Sequence, residues 1–296
     1  MTLLDGKSSR SALLFVLQVS RPGFWLTTIW FYLLPTAQQD VFQSPAFWLG
    51  ILYMTFPFGL LIYGANDIVD RKEDLFNPRK GTYLFGSRGT PGQLKALPLY
   101  IIAAQLPFLV AFSILVGPKI LLWFVAVSLA TAAYNCPPLA FKGRPPFDIL
   151  NQAAYLLVFV LSSWLNELPQ LPWPTFVFGA LFAMHSHLFG EIMDIRPDRE
   201  AGRKTTANSI GAIPSKVMMI VFLLAEAVIV AHYFQSGVLS GLLVGAALWF
   251  VLDAAFLWKS RPYSGAQMRC FFIGWNVVAL GSMAWIWNTG VLTYLP

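Results

Sequence analysis

Two acidic patterns with matched spacing are the residues in this chain best placed to do chemistry. The first is Asp67, Asp70 and Asp74, preceded by Asn66 and followed by Arg79-Lys80 and Thr82. The second, 124 residues later, is Glu191, Asp194 and Asp198, followed by Arg203-Lys204 and Thr206. In both, acids occupy positions 0, 3 and 7, an Arg-Lys pair positions 12 and 13, and a Thr position 15. At about 100° per residue these acids fall within roughly 60° of helix circumference, so each pattern reads as a helix end carrying one stripe of carboxylates. Carboxylates crowded in this way repel one another, and a multivalent cation offsets the repulsion. Mg²⁺ takes hard oxygen ligands and is commonly held jointly by protein carboxylates and a substrate's phosphates. The neighbouring Arg and Lys residues suit direct contact with phosphate oxygens. One acidic run alone would read as a solvated loop; a duplicate with the same Arg-Lys offset argues for a site.

The elements that must position these stripes are membrane helices. Hydrophobic residues make up 57% of 296 positions and charged residues 11%, with a mean hydropathy of +0.62, whereas soluble domains are about one quarter charged. Apolar runs able to cross about 30 Å of hydrocarbon lie near 12–37, 46–66, 96–116, 119–136, 148–166, 173–194, 216–235, 238–258 and 268–290. Arg21-Pro22 interrupts the first, which reads as a short interfacial helix over 11–20 followed by a span starting at Pro22. With nine spans, 19 of the 20 basic residues fall on one side and only Lys119 on the other. The positive-inside rule then places the N-terminus and both acidic motifs in the cytoplasm and the C-terminus on the opposite side. The predicted fold is an all-α integral membrane protein, one polytopic domain over 1–296, with nine helices around a central apolar cavity. The net charge of +6 follows from this topology and from a local surplus where an anion docks, and it does not argue for nucleic acid. Cys136 and Cys270 lie near cytoplasmic helix ends without metal-ligand spacing, so neither a disulfide nor a zinc site is expected.

Acid-rich helix ends, basic loops and an apolar interior together describe a site for a lipid diphosphate. A divalent cation clamps the leaving group while a carbon–oxygen bond breaks. An allylic diphosphate then leaves a delocalised carbocation, which needs a dry pocket and aromatic faces. Of the many aromatics, most read as lipid-facing bulk; Tyr134 and Tyr155 are singled out because they flank the 135–147 loop. His185 and His187, in the sixth span, read as helix-packing residues. The run Gly86-Ser87-Arg88-Gly89-Thr90-Pro91-Gly92 reads equally as a mobile lid or a turn-rich connector, and it has no Walker pattern.

The segment Asn66-Asp67-x-x-Asp70-x-x-x-Asp74 resembles the first signature of the UbiA superfamily of intramembrane prenyltransferases, and Asp194-x-x-x-Asp198 resembles the second. Arg21-Pro22 at the first span, and Tyr134 with Lys142 after the fourth, extend the resemblance over nearly the whole chain. It implies nine helices about a cavity, with Mg²⁺ and a prenyl diphosphate at the cytoplasmic end. It further implies that Asp67, Asp70 and Asp74 serve one Mg²⁺ site, and Asp194 and Asp198 the other. Asn66, Arg71 and Lys142 are the implied diphosphate contacts, and Asp70, Asp194, Lys142 and Tyr134 the implied catalytic group. Glu191 departs from the Asp often found at its position, which leaves its ligation open. The runs 77–81, 134–142 and 194–202 look like the carotenoid branch, whose lycopene elongases add a five-carbon unit to an acyclic carotenoid end. Hydroxybenzoate and chlorophyll branches usually carry Arg-Pro after the first motif, and here Pro78 precedes Arg79. The expected activity is therefore prenyl transfer to a lipophilic acceptor, with an aromatic quinone or chlorophyll-type precursor as runner-up. A cation-coupled transporter is the reading from another class, but these acids sit at one membrane face beside basic loops. An intramembrane aspartyl protease is weaker still, for lack of a Gly-x-Gly-Asp.

Overall fold

Backbone amides in hydrocarbon find no water, so apolar runs must satisfy them internally, as helices. The computed structural model describes residues 5–71, 80–81 and 85–295, and its elements are helical. They are α1 (Asp5–Val19), α2 (Trp25–Leu33), α3 (Pro45–Met54), α4 (Phe56–Val69), α5 (Pro91–Val116), α6 (Lys119–Asn135) and α7 (Phe147–Leu150). There follow α8 (Leu157–Leu165), α9 (Trp173–Glu200), α10 (Thr206–Ile210), α11 (Ala212–Tyr233), α12 (Gly237–Ala255) and α13 (Gly265–Thr289). Among the described residues, eight helical segments are long and apolar enough to cross a membrane. The chain is thus an integral, multi-pass membrane protein. The remaining expected span, α6, is apolar but only 17 residues long, about 25 Å at the usual helical rise.

Local chemistry sets where these helices start and break. Ser44, Thr90 and Ser264 each accept a backbone N–H three residues on, and Gln93 and Gln267 complete capping boxes at α5 and α13. The Gly-rich run therefore ends as the capped start of α5. The expected break in the first span falls at Arg21, whose φ of 51° is left-handed, followed by a 3₁₀ turn over Pro22–Phe24. Helix α1 is longer than the predicted interfacial piece, because polar residues from Asp5 onward continue it. The second span is cut at Thr55 into α3 and α4, with Pro57 in the first turn of α4. Gln105 on α5 donates to the Pro57 carbonyl at 2.8 Å. Between α7 and α8 the chain tightens into a 3₁₀ stretch, Asn151–Leu156, a departure that often marks a functional position.

Packing separates an inner aromatic core from an outer lipid face. Trp30, Phe31, Tyr32, Tyr53, Trp123 and Phe159 lie in the main buried cluster. By contrast, Ile114 on α5 and Leu122 on α6 are 80% and 70% exposed, as suits a hydrocarbon solvent. Gly50 on α3 is required by close approach, since a Cβ there would lie 2.0 Å from the Tyr32 hydroxyl. Far from the acidic motifs, the Gln38 amide donates to Trp287 O at 3.1 Å and Trp287 Nε1 to Thr36 Oγ1 at 3.0 Å. The end of the first span and the end of α13 therefore share one side.

Candidate active site

Helix α4 stops at its C-cap, Asp70, so Asp67 and Asp70 sit at a helix C-terminus. Asp194 and Asp198 occupy the last turns of α9, which runs to Glu200. The helix dipole puts partial negative charge at such ends, which adds to the carboxylates' own repulsion. The protein answers with cations drawn from distant parts of the chain. Arg21 Nη2 and Lys80 Nζ reach Asp67 Oδ1 at 3.0 and 2.5 Å. Lys142 pairs with Asp70 and lies 3.3 Å from Asn135 Oδ1. Arg203 Nη2 bonds Asp70 Oδ2 at 2.6 Å, and its Nη1 lies 3.9 Å from Asp198 Oδ1. One guanidinium thus joins the acidic end of α4 to that of α9. Burial works against its charge, but the Asp70 and Asp198 carboxylates prevail and hold its pKa above the ordinary arginine value.

These groups close one end of a cavity of about 350 Å³. Arg21, Asn66, Asp70, Asp194, Asp198 and Arg203 line its polar part, and Phe24, Phe31, Phe58, Phe182 and Trp275 its apolar part. Phe31 lies 5.7 and 5.9 Å, centroid to centroid, from Tyr155 and Phe182, so these rings form an aromatic part of the lining. The strained backbone at Arg21 aims its guanidinium at Asp67 while placing it 4.4 Å from the centre of the Tyr63 ring. Gly86, with φ +99°, passes close to both Arg21 and Lys80; a Cβ there would lie 3.0 Å from Arg21 Nε.

Of the predicted site residues, the structure brings together Asn66, Asp67, Asp70, Tyr134, Lys142, Asp194 and Asp198. Asn66 orients Asp70 through Nδ2 to Oδ2 at 3.1 Å. Arg71 does not join them: it is exposed and outside the cavity lining, because the chain leaves the helix at Asp70. Asp74 lies outside the described residues. At Glu191, Oε2 accepts the Ala207 amide at 3.1 Å and Oε1 lies 3.2 Å from His187 Nε2. The two histidines separate. His185 packs against Glu226 at 2.7 Å, as expected, whereas His187 lines the cavity, against expectation. Sequence reasoning missed Asp148, whose carboxylate takes the Thr206 amide and hydroxyl at 2.5 and 2.6 Å. It read Lys80 and Arg203 as members of the Arg-Lys pairs suited to phosphate oxygens, not as partners of the carboxylates. The shared Arg-Lys offset marked both residues, but the reach of Arg203 to the other motif was not legible.

The donor set suits a hard divalent cation. Asp67 Oδ2 and Asn66 Oδ1 are buried oxygens without a hydrogen-bond partner, and every nearby anionic group is a carboxylate. Among the described residues no three acidic, imidazole or thiol groups converge on a point, and Lys142 and Arg203 both pair with Asp70.

A model of the UbiA prenyltransferase family matches residues 24–288. The chain belongs to that family. It is 31% identical over 262 residues to a lycopene elongase/hydratase of Corynebacterium glutamicum, covering 85% of this chain and 88% of that one. A lycopene elongase/hydratase of Halobacterium salinarum is 36% identical over 205 residues, covering 67% and 71%. In fold, the chain resembles a UbiA homolog from Archaeoglobus fulgidus bound to DMAPP and Mg²⁺, with a TM-score of 0.70 at 20% identity over 95% of this chain and 100% of that one. The same homolog bound to GPP and Mg²⁺ also scores 0.70, at 19% identity over 94% and 99%. This UbiA-family chain is accordingly a membrane-embedded prenyltransferase, and its relatives support the carotenoid branch.

Proposed function

We propose that the protein transfers a prenyl group from an allylic prenyl diphosphate, held with Mg²⁺ at the two acidic helix ends, to the end of an acyclic carotenoid such as lycopene. The observation that carries this reading is Arg203, which bonds Asp70 of one motif and approaches Asp198 of the other at the mouth of a single apolar cavity. Bound Mg²⁺ would supply charge neutralisation of the diphosphate leaving group. Asp67, Asp70, Asp194 and Asp198, with Asn66, are the residues that would hold it, together with Asp74 from the first motif. Lys142, Arg203, Arg21 and Lys80 supply charge-assisted hydrogen bonds to the diphosphate oxygens as negative charge builds there. Tyr134 and the aromatic wall face the allylic part and exclude water. At about 350 Å³ the cavity lies at the small end of ligand sites, which span about 300–1,000 Å³. That favours a short donor such as a five-carbon unit, with most of a long acceptor remaining in the bilayer.

The reading places nine spans across the membrane, with the acidic ends and N-terminus cytoplasmic and the C-terminus opposite. Parity supports a ninth crossing: the ends of the first and last spans lie together, as an odd number of passes with α6 crossing would have it. Lys119, alone opposite in the charge sorting, lies 4.9 Å from the Trp164 ring at that other end. The test is expression in a host that makes lycopene. Pigments heavier by one or two five-carbon units, some hydroxylated, are expected, and Asp70→Ala and Asp194→Ala should each abolish them. Full Mg²⁺-dependent transfer by both variants would overturn the assigned roles. A prenylated aromatic acid with unchanged pigment would move the acceptor to the quinone branch.

A further inference from the structure

A chain of polar groups runs from the cavity wall into the protein beneath the second acidic end, and diphosphate binding uses none of it. His187 begins it on α9, half-buried and lining the cavity. Its Nε2 lies 3.2 Å from Tyr134 Oη and 3.2 Å from Glu191 Oε1, one helical turn on. Glu191 is held in turn by the Ala207 amide at 3.1 Å, beside the Asp148 carboxyl group. Asp148 is anchored by Thr206 and is fully buried, while Glu191 is 6% exposed. The negative Glu191 carboxylate, 3.2 Å from Nε2, favours the His187 tautomer with hydrogen on that nitrogen and the lone pair on Nδ1. No described residue bonds that nitrogen. Other groups at the cavity are committed elsewhere: Asp67, Asp70 and Asp198 face basic side chains, and the Tyr63 and Tyr155 hydroxyls lie 3.3 Å apart. His185 is behind the wall, against Glu226. His187 is the imidazole that lines the cavity among the described residues.

We propose that His187 is the proton acceptor that ends the transfer reaction, with Glu191 as its positioning residue; this rests on the prenyl-transfer reading above. When the donor's carbon–oxygen bond breaks, its electron pair leaves with the diphosphate. The allylic cation then adds to the acceptor's terminal double bond, and the positive charge moves to the neighbouring tertiary carbon. A C–H bond beside that carbon breaks, its electron pair closes a new C=C bond, and the proton goes to His187 Nδ1. Where water adds to the cation instead, the new C–O bond forms and the water's proton goes to the same nitrogen. Glu191 balances the imidazolium that results. One base placed at this wall therefore serves both an alkene and a hydroxylated product.

The test uses the full-length enzyme in lycopene-containing liposomes with an allylic diphosphate and Mg²⁺. His187→Phe keeps a ring and removes the base; kcat should fall about 10²- to 10⁴-fold, while KM for the donor stays within about threefold. His187→Ala should regain activity with added imidazole, which a purely structural loss would not. Glu191→Gln should shift the ratio of alkene to hydroxylated product with a smaller loss of rate. An undiminished rate and unchanged product ratio in His187→Phe would overturn the proposal and give the base role to the departing diphosphate. If the wild-type protein leaves lycopene unchanged and alkylates an aromatic acid, the acceptor assignment fails by itself. The same His187 series on that acceptor then decides the proton-transfer role, because restoring the aromatic ring also releases a proton.

Discussion

Arg203 shows how much one side chain can decide. It carries positive charge between two helix ends whose dipoles and carboxylates are both negative. Charge-assisted hydrogen bonds of this kind contribute about 1.5–3 kcal/mol. Arg203→Ala is therefore expected to lower kcat/KM for the donor roughly 10- to 100-fold, measured as initial rates over a donor titration. Arg203→Lys should recover only part of this, because one ammonium nitrogen cannot span Asp70 and Asp198 as the two separate guanidinium nitrogens do. The acids were legible in the sequence, since their spacing alone puts them on one helix face. Their partners were less so: Arg21 and Lys142 approach from 46 and 72 residues away, and no local periodicity encodes such a distance.

At the scale of elements, the helices around the site are held by polar pins inside the bundle. Lys216 on α11 is fully buried and bonds Asp253 on α12 at 2.8 Å and the Lys259 carbonyl at 2.7 Å. Tyr263, in the loop before α13, donates to the same Asp253. Burial first, and then that carboxylate, push the Tyr263 pKa above the ordinary phenol value, so it remains a donor. Removing one member of a buried pair strands the other and costs about 3–5 kcal/mol. Lys216→Met should thus lower the thermal unfolding midpoint in detergent markedly. Lys216→Met with Asp253→Leu and Tyr263→Phe should recover most of it, since no charge or hydroxyl is left alone. The apolar runs near 216–235, 238–258 and 268–290 overlap α11, α12 and α13, because apolar length is a local property. Sequence reading treated 46–66 as one helix, whereas the break at Thr55 depends on Pro57 and on Gln105 donating from α5.

Across the whole molecule, basic residues and hydrogen bonds describe the same arrangement. Under the nine-pass reading 19 of 20 cations sort to one side, and the first span and α13 end together at the other. With Cys136 and Cys270 replaced by Ser, Lys204→Cys is expected to react with an impermeant maleimide only in inside-out vesicles. Asn288→Cys should react only in right-side-out vesicles; labelling of both residues from one side would refute the nine-pass topology. Composition, read alone, determined that this is a helical membrane protein, and the duplicated acidic spacing pointed to a diphosphate-type site, because hydrophobic length and helix periodicity are local. Only the tertiary structure decided that Arg203 joins the two motifs, that Glu191 turns from the acidic stripe toward Ala207 and His187, and that Arg71 stays outside. Those outcomes depend on which helix ends meet across the bundle, and that is set by long-range packing and by the need to compensate every buried charge.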